Sequence, residues 1–100
     1  MTRETIRVGC VSTLPGDVQA YQRTPEFDEH TVPRGLLRAH TTKPGVWGRI
    51  VVVQGTLLYR VPARGVELLL DASQAGIIEP EVPHEVELRG SVRFYVEFLK

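Results

Sequence analysis

The sequence contains one cysteine, one methionine, no asparagine and no long apolar segment. Because Cys10 has no second cysteine to join, an intrachain disulfide and a cysteine-based metal cluster are both excluded. The longest apolar runs, at residues 50–53 and 68–70, are far too short to span a bilayer, and residues 1–11 lack the apolar core of a signal peptide. We therefore predict a cytoplasmic protein in which Cys10 is a small buried residue rather than a reactive thiol.

An excess of charge of one sign is also lacking, because 12 lysines and arginines balance 12 acidic residues. A neutral chain has no electrostatic footprint for nucleic acid or for an anionic membrane, so neither is expected as a partner. Low net charge removes one barrier to self-association, and we predict a homodimer. A phosphate-binding loop, a dinucleotide fingerprint and a nucleophile elbow are absent too, so the sequence leaves open whether the protein is an enzyme.

Proline and glycine, with 7 and 9 occurrences in 100 residues, divide the apolar residues into short blocks. No block has a helical period, whereas several alternate between apolar and polar residues, which is typical of strands. Turns are predicted at Gly55, residues 63–65 and Gly90, and a loop or short helical turn at residues 24–33. The predicted strands are residues 6–10, 17–23, 35–40, 47–54, 57–61, 66–70, 76–79, 84–88 and 91–99. Hairpins of this kind favour one antiparallel all-β domain spanning residues 1–100, either a sandwich or a barrel.

His40 and His84 are the principal candidate site residues, because each lies at the edge of a predicted strand and is framed by proline and glycine. Two imidazoles from distant strands could form a pocket for a small ligand or for a metal ion such as iron, zinc or nickel. A catalytic metal needs about three protein ligands, and Glu97 is the preferred third, on a polar strand face shared with Arg93 and Tyr95. The other candidates for that third position are His30, Glu79 and Glu81. The alternatives are a hydrogen-bonded structural role for each histidine and an ion pair between Glu97 and Arg93.

Trp47 and Arg49 lie on one side of the strongest predicted strand, with Gly48 between them. A tryptophan beside an arginine can form the floor of a site for an anion or an aromatic ligand, because guanidinium binds oxyanions through a planar fork of donors. Tyr95 joins them as a candidate ligand contact. The alternative is that Trp47 caps the core and Arg49 forms a structural ion pair. The β-branched residues at 50–53 further predict that this strand is buried on both faces.

The motifs around these residues resemble the family of the cupin-like N-terminal domain of the tellurite-resistance protein TehB. The resemblance rests on three short motifs. They are His40 followed by KPGVWGR at residues 43–49 and Gly55, then EPE at residues 79–81 followed by His84, and finally FYVEF at residues 94–98.

The resemblance covers residues 14–98, so residues 1–13 are an N-terminal extension that could add an edge strand. It implies an antiparallel double-stranded β-helix, the cupin-like jelly-roll barrel, commonly dimeric and with a pocket at its mouth. In the cupin superfamily two motifs supply three histidines and a glutamate to a metal ion. His84 occupies one of those four positions in this chain. The other three positions are held by Thr41, Lys43 and Gly48.

Three functions are compatible with these residues. The first is a binding module for a small anion, a polar metabolite or a metal ion, in a barrel pocket lined by His40, Trp47, Arg49 and His84, and the resemblance implies a link to tellurite resistance or a stress response. The second is a metal-dependent oxygenase or isomerase in which His40, His84 and a carboxylate hold a divalent ion. The third is a purely structural or protein-interaction role.

Overall fold

The computed structural model describes residues 14–38 and 40–100. In this part of the chain the fold is one antiparallel sheet of six strands. In chain order the strands are β1 (Ala20–Arg23), β2 (Phe27–Asp28), β3 (Trp47–Val61), β4 (Val66–Leu70), β5 (Gly76–Ile78) and β6 (Glu85–Leu99). The predicted all-β class is therefore confirmed. The predicted strand at residues 6–10, the predicted burial of Cys10 and the extension at residues 1–13 lie outside the described residues.

The two longest strands, β3 and β6, pair along their whole lengths, from Trp47 opposite Leu99 to Arg60 opposite Glu85. The other edge of β3 is taken by β5 and β4, and the other edge of β6 by β1 and β2. Among the described residues the strand path β1-β6-β3-β4 stays open, because β1 and β4 do not pair with each other. A closed jelly-roll barrel is thus not observed. No helix in this part of the chain has the length and apolar character needed to cross a bilayer.

Glycines at two predicted turns, Gly55 and Gly90, bend strands instead of ending them. Gly55 has φ +81° and Gly90 has φ +95°, a backbone conformation that residues with a Cβ rarely adopt. On either side of Gly55 the register between β3 and β6 shifts, as at a β-bulge, and β3 then continues to Val61. The prediction that β3 and β6 would each be two separate strands is therefore wrong.

The predicted strand at residues 35–40 is also wrong, because a 3-10 helix occupies Arg34–Leu37. The amide of Leu36 donates to the carbonyl of Pro33 at 3.0 Å, and the Leu36 side chain packs against the core. His40 follows this helix and pairs only through an isolated β-bridge. Of the two leucines that suggested a strand, Leu36 thus packs against the core, whereas Leu37 is exposed.

Two predictions for the connecting segments have different outcomes. The hairpin turn at residues 63–65 is confirmed, with Gly65 in the left-handed region at φ +65°. Residues 24–33, predicted as a loop or a helical turn, instead contain β2, in which Phe27 pairs with Phe94 of β6. This pairing brings the two rings into edge-to-face contact, with centroids 5.7 Å apart.

The core lies on one face of the sheet, as the burial pattern of β3 shows. Gly48, Ile50 and Val52 are buried, whereas Arg49 and Val51 between them are only half-buried. The prediction that this strand is buried on both faces is therefore wrong. The buried core cluster comprises Ile50, Val52, Leu57, Tyr59, Val61, Val66, Leu70, Ile78, Val86, Val92, Phe94 and Val96.

Candidate functional site

The two predicted site histidines are joined by an antiparallel β-bridge. The amide of His40 donates to the carbonyl of His84 at 2.8 Å, and the amide of His84 donates to the carbonyl of His40 at 2.9 Å. Residues directly opposite each other in such a bridge direct their side chains to the same face. The two imidazole rings consequently meet edge to face, with their centroids 5.4 Å apart and their planes at 77°.

The loops that carry the histidines are set by proline and by local hydrogen bonds. After His40 the chain turns at Pro44 and Gly45, and the hydroxyl of Thr42 donates to the carbonyl of Val46 at 2.7 Å, which fixes this turn. Before His84 the chain turns at Glu81, a non-glycine residue with φ +64°. Both turns are local, but the bridge that joins them depends on the whole sheet.

His84 is held as a neutral imidazole. Its side chain is almost completely buried, with 2% of the residue exposed, and its Nδ1 lies 3.1 Å from the carbonyl oxygen of Val82. A carbonyl can only accept, so Nδ1 carries the proton and Nε2 presents a lone pair. Burial lowers the pKa of His84 because it disfavours the charged ring, the Val82 contact opposes this, and His40 lowers the pKa a little further.

Two buried nitrogens of this histidine pair lack a partner. His84 Nε2 and His40 Nδ1 have no hydrogen-bond partner within residues 14–38 and 40–100. Leaving a buried polar atom unpaired costs about 1–3 kcal/mol, so native folds rarely keep one without a use for it. The pair therefore has unused hydrogen-bonding or coordinating capacity.

The histidine rings form part of the wall of a cavity of ≈ 180 Å³, which we call the inner cavity. Its remaining wall is mostly apolar and comes from the core face of the sheet, the 3-10 helix and the loops beside them. The inner cavity is lined by Thr24, Phe27, Pro33, Gly35, Leu36, His40, Thr42, Ile78, His84, Val96 and Phe98. The apolar part of this wall was not recognised in the sequence, because Phe27 and Leu36 lie in segments whose structure was predicted wrongly.

Arg49 and Glu97 do not belong to the inner cavity. They are directly opposite each other in β3 and β6, and Arg49 Nε donates to Glu97 Oε1 at 2.8 Å. Side chains alternate along a strand, and Ile50 and Val96 point into the core, so Arg49 and Glu97 point away from it. The predicted grouping of Glu97 with the two histidines is therefore wrong, and the structural ion pair considered for Arg49 is confirmed, with Glu97 as its partner.

Trp47 and Tyr95 lie on that same outer face. Trp47 is two residues before Arg49 on β3, and Tyr95 is two residues before Glu97 on β6. The guanidinium of Arg23 stacks over the Tyr95 ring, 4.0 Å from its centroid. The sheet therefore separates these candidate ligand contacts from the histidine pair.

In the part of the chain that the structure describes, no other acidic or histidine side chain completes a metal site. His30 is exposed beside Glu29, and Glu79 is ion-paired with Arg64. Within the described ranges, no three His, Cys, Asp or Glu side chains converge in a way that could hold a metal ion. Two imidazole nitrogens alone do not fit the resident metal of a cupin, which needs about three protein ligands.

The neutral state of His84 predicts a specific pH dependence of stability. Its pKa is lowered on folding, so the unfolded chain binds more protons than the folded one once the pH falls below about 6.5. Stability is then complete above about pH 6.5 and decreases below it, by up to about 1.4 kcal/mol per pH unit. Denaturant titrations at a series of pH values should show this loss.

The control for this pH dependence is His84→Leu, which lacks this contribution and should therefore lose less stability than the wild type between about pH 5 and 6.5. Carboxylates do not interfere in that window. The pKa values of Asp28, beside the backbone amide of His30, and of Glu87, beside Arg60, are lowered, so their contributions are lost only at more acidic pH. An equal loss of stability in the wild type and in His84→Leu would contradict the assignment.

Comparisons with known proteins agree with this architecture. A model of the TehB-like domain family matches residues 22–96. The chain superimposes on the crystal structure of a protein from E. coli strain K12 with a TM-score of 0.81 and 25% sequence identity, covering 90% of this chain and 97% of that one. It also superimposes on TehB from Haemophilus influenzae with a TM-score of 0.74 and 23% identity, covering 84% of this chain but 32% of the TehB chain, which shows a shared fold alone. No curated protein sequence matches the chain.

Proposed function

The chain belongs to the TehB-like domain family, and we propose that it binds a small, mainly apolar molecule carrying one hydrogen-bond donor. Two observations carry this proposal: His40 and His84 both line an apolar cavity, and each has a buried nitrogen without a partner among the described residues. An apolar cavity of about 150 Å³ is large enough for benzene, so the inner cavity accommodates a single ring with one substituent.

The polar group of the ligand follows from the tautomer of His84. With Nδ1 bonded to Val82, Nε2 can only accept, and a hydroxyl or N–H of the ligand satisfies it. The nitrogen is covered in the structure, but rotation of an imidazole about χ2 is soft, and a small rotation turns it towards a bound molecule. The ligand thereby removes the cost of an unpaired buried atom.

A fully charged oxyanion is not proposed for the inner cavity. Arg49, the residue predicted to bind an anion, is on the other face of the sheet and is neutralised by Glu97. Taking an anion from water into an apolar site beside a neutral imidazole is costly. The tellurite link implied by the resemblance is therefore not part of this proposal, and the metal-dependent oxygenase or isomerase is set aside because a third metal ligand is missing from the described residues.

Titration with phenol and with toluene tests the proposal, because the two molecules differ only by a hydroxyl in place of a methyl group. Phenol should bind with a dissociation constant of about 1 mM and should shift the amide NMR signals of residues around the inner cavity. Toluene should bind about tenfold more weakly, since it leaves Nε2 of His84 unpaired. Inorganic phosphate should produce no shift at these residues.

The decisive variant is His84→Leu, in which the order should reverse so that toluene binds more tightly than phenol. The matched control is His30→Leu, because His30 is an exposed histidine outside the inner cavity. A preference for phenol that survives in His84→Leu would remove the proposal, as would the absence of binding by either molecule. Nickel or zinc retained at one equivalent in the wild type and lost in His84→Leu would support the metal-binding alternative instead.

Location and assembly stay proposals. The single cysteine is compatible with a cytoplasmic protein, and the neutral net charge is compatible with a homodimer.

A further inference from the structure

A second depression, which we call the outer groove, adjoins the inner cavity. It has a volume of ≈ 280 Å³ and lies where the His40 loop faces β1. The outer groove is lined by Tyr21, Gln22, His40, Thr41, Thr42, Lys43, Val46 and Phe98. Three of these residues, His40, Thr42 and Phe98, also line the inner cavity, so the two spaces adjoin along these side chains.

The two spaces differ in polarity and charge. The inner cavity has two imidazole rings and an otherwise mainly apolar wall, whereas the outer groove has hydroxyl, amide and ammonium groups. Lys43 lines the groove, and the ammonium of Lys100 lies over the ring of Tyr21, 4.5 Å from its centroid. None of the described residues that line the outer groove is acidic, and Lys43 contributes a cation to this lining.

Glu81 is the carboxylate that could neutralise the charge of Lys43. Glu81 and Lys43 share a separate shallow depression with Thr41, Thr42 and Pro44. Lys43 nevertheless forms no ion pair with Glu81 or with any other carboxylate in residues 14–38 and 40–100. The charge of Lys43 is thus available to a ligand in the outer groove.

Because an apolar cavity adjoins a groove lined by Lys43, we infer that the ligand is an amphiphilic monocarboxylate. Its ring lies in the inner cavity and its carboxylate lies in the outer groove beside Lys43, with the connecting atoms passing the His40 side chain. Together the two spaces reach the volume typical of a small-molecule site, which the inner cavity alone does not. The inference rests on the proposed function, since it specifies what is attached to the ring.

Para-substituted phenols test the inference, because they keep the hydroxyl for His84 and add a carboxylate at different distances. The probes are 4-hydroxybenzoate, 4-hydroxyphenylacetate and 3-(4-hydroxyphenyl)propanoate, each compared with its uncharged amide. We expect at least one carboxylate to bind about fivefold more tightly than its amide, a difference that shrinks at high salt. Lys43→Gln should abolish this difference without changing the affinity for phenol. Arg89→Gln, which removes an exposed charge beside Gly90 in β6, should preserve this difference.

The outcomes separate the two proposals. A carboxylate advantage that is lost in Lys43→Gln and kept in Arg89→Gln supports the inference. Phenol binding with no carboxylate tighter than its amide, or an advantage that persists in Lys43→Gln, overturns the inference and leaves the proposed function intact. Absence of binding by phenol and by every carboxylate overturns both.

Discussion

Gly55→Ala is expected to lower the free energy of unfolding by about 3 kcal/mol and the melting temperature by about 15 °C. Gly55 has φ +81°, and a Cβ there would lie 2.2 Å from the carbonyl oxygen of Ser91 and 3.1 Å from Cα of Val92. Both are backbone atoms of the paired strand β6, so no side-chain rotation relieves the contact. The variant must either separate β3 from β6 or shift their register, and these strands carry most of the core.

The control for Gly55→Ala is Gly45→Ala. Gly45 also has a positive φ, of +76°, but a Cβ there would meet no atom within 4 Å. Gly45→Ala should therefore lower the free energy of unfolding by only about 1 kcal/mol, the conformational penalty of an alanine in the left-handed region. Urea or thermal unfolding of the three proteins measures both changes. A Gly55→Ala variant no less stable than Gly45→Ala would show that the approach of the two strands is looser than the structure has it.

The same glycines show how far the sequence could predict the fold. Glycine followed by a new apolar block is typical both of a turn and of a bulge within one strand. Which of the two forms depends on whether the partner strand continues past the glycine, as β6 does past Gly55. That information lies dozens of residues away, so the strands could be predicted locally but their continuity could not.

The placement of Trp47 and Arg49 depended on a similar long-range contact. Their common face was predicted correctly from the alternation of strand side chains, but the large aromatic ring was expected to face the pocket. Gly48 faces the core instead, because Ile78 of β5 fills the space above it and a Cβ at Gly48 would lie 2.9 Å from the Ile78 Cδ1 atom. A strand that turns its glycine inwards cannot be recognised without knowing which residue packs on it.

The histidine pair was the most predictable part of the site. Prolines and glycines framed both residues and singled them out; the structure has His84 directly before β6, and it joins His40 to His84 through an isolated bridge rather than a strand. Their buried, unpartnered nitrogens could not be predicted, since the covering residues come from the 3-10 helix and from β2. Sequence motifs therefore identified the polar part of the inner cavity but not its apolar wall.

His84→Leu is expected to raise the free energy of unfolding at neutral pH by about 1 kcal/mol and the melting temperature by about 5 °C. Leucine has nearly the volume of histidine and leaves the backbone bridge to His40 in place. The change removes a buried nitrogen that has no partner in the described residues. Burying such an unpaired atom destabilises the folded state by about 1–3 kcal/mol. The change also removes the hydrogen bond to the carbonyl of Val82, a half-buried residue in the loop before β6, and we expect this loss to be the smaller of the two.

The combination of higher stability with lost phenol recognition distinguishes a ligand-binding histidine from a structural one. A structural histidine would be satisfied within the fold, and its removal would lower stability by about the value of its hydrogen bonds. His30→Leu, at an exposed position, should leave both the melting temperature and phenol binding unchanged. Thermal unfolding of the three proteins should be measured above about pH 7, where His84 is neutral in folded and unfolded chains alike. The measured stability change then reflects the removal of the unpaired nitrogen and not the titration of the ring. A melting temperature of His84→Leu below that of the wild type would mean that the fold itself satisfies the ring, and the ligand would lose its anchor in the inner cavity.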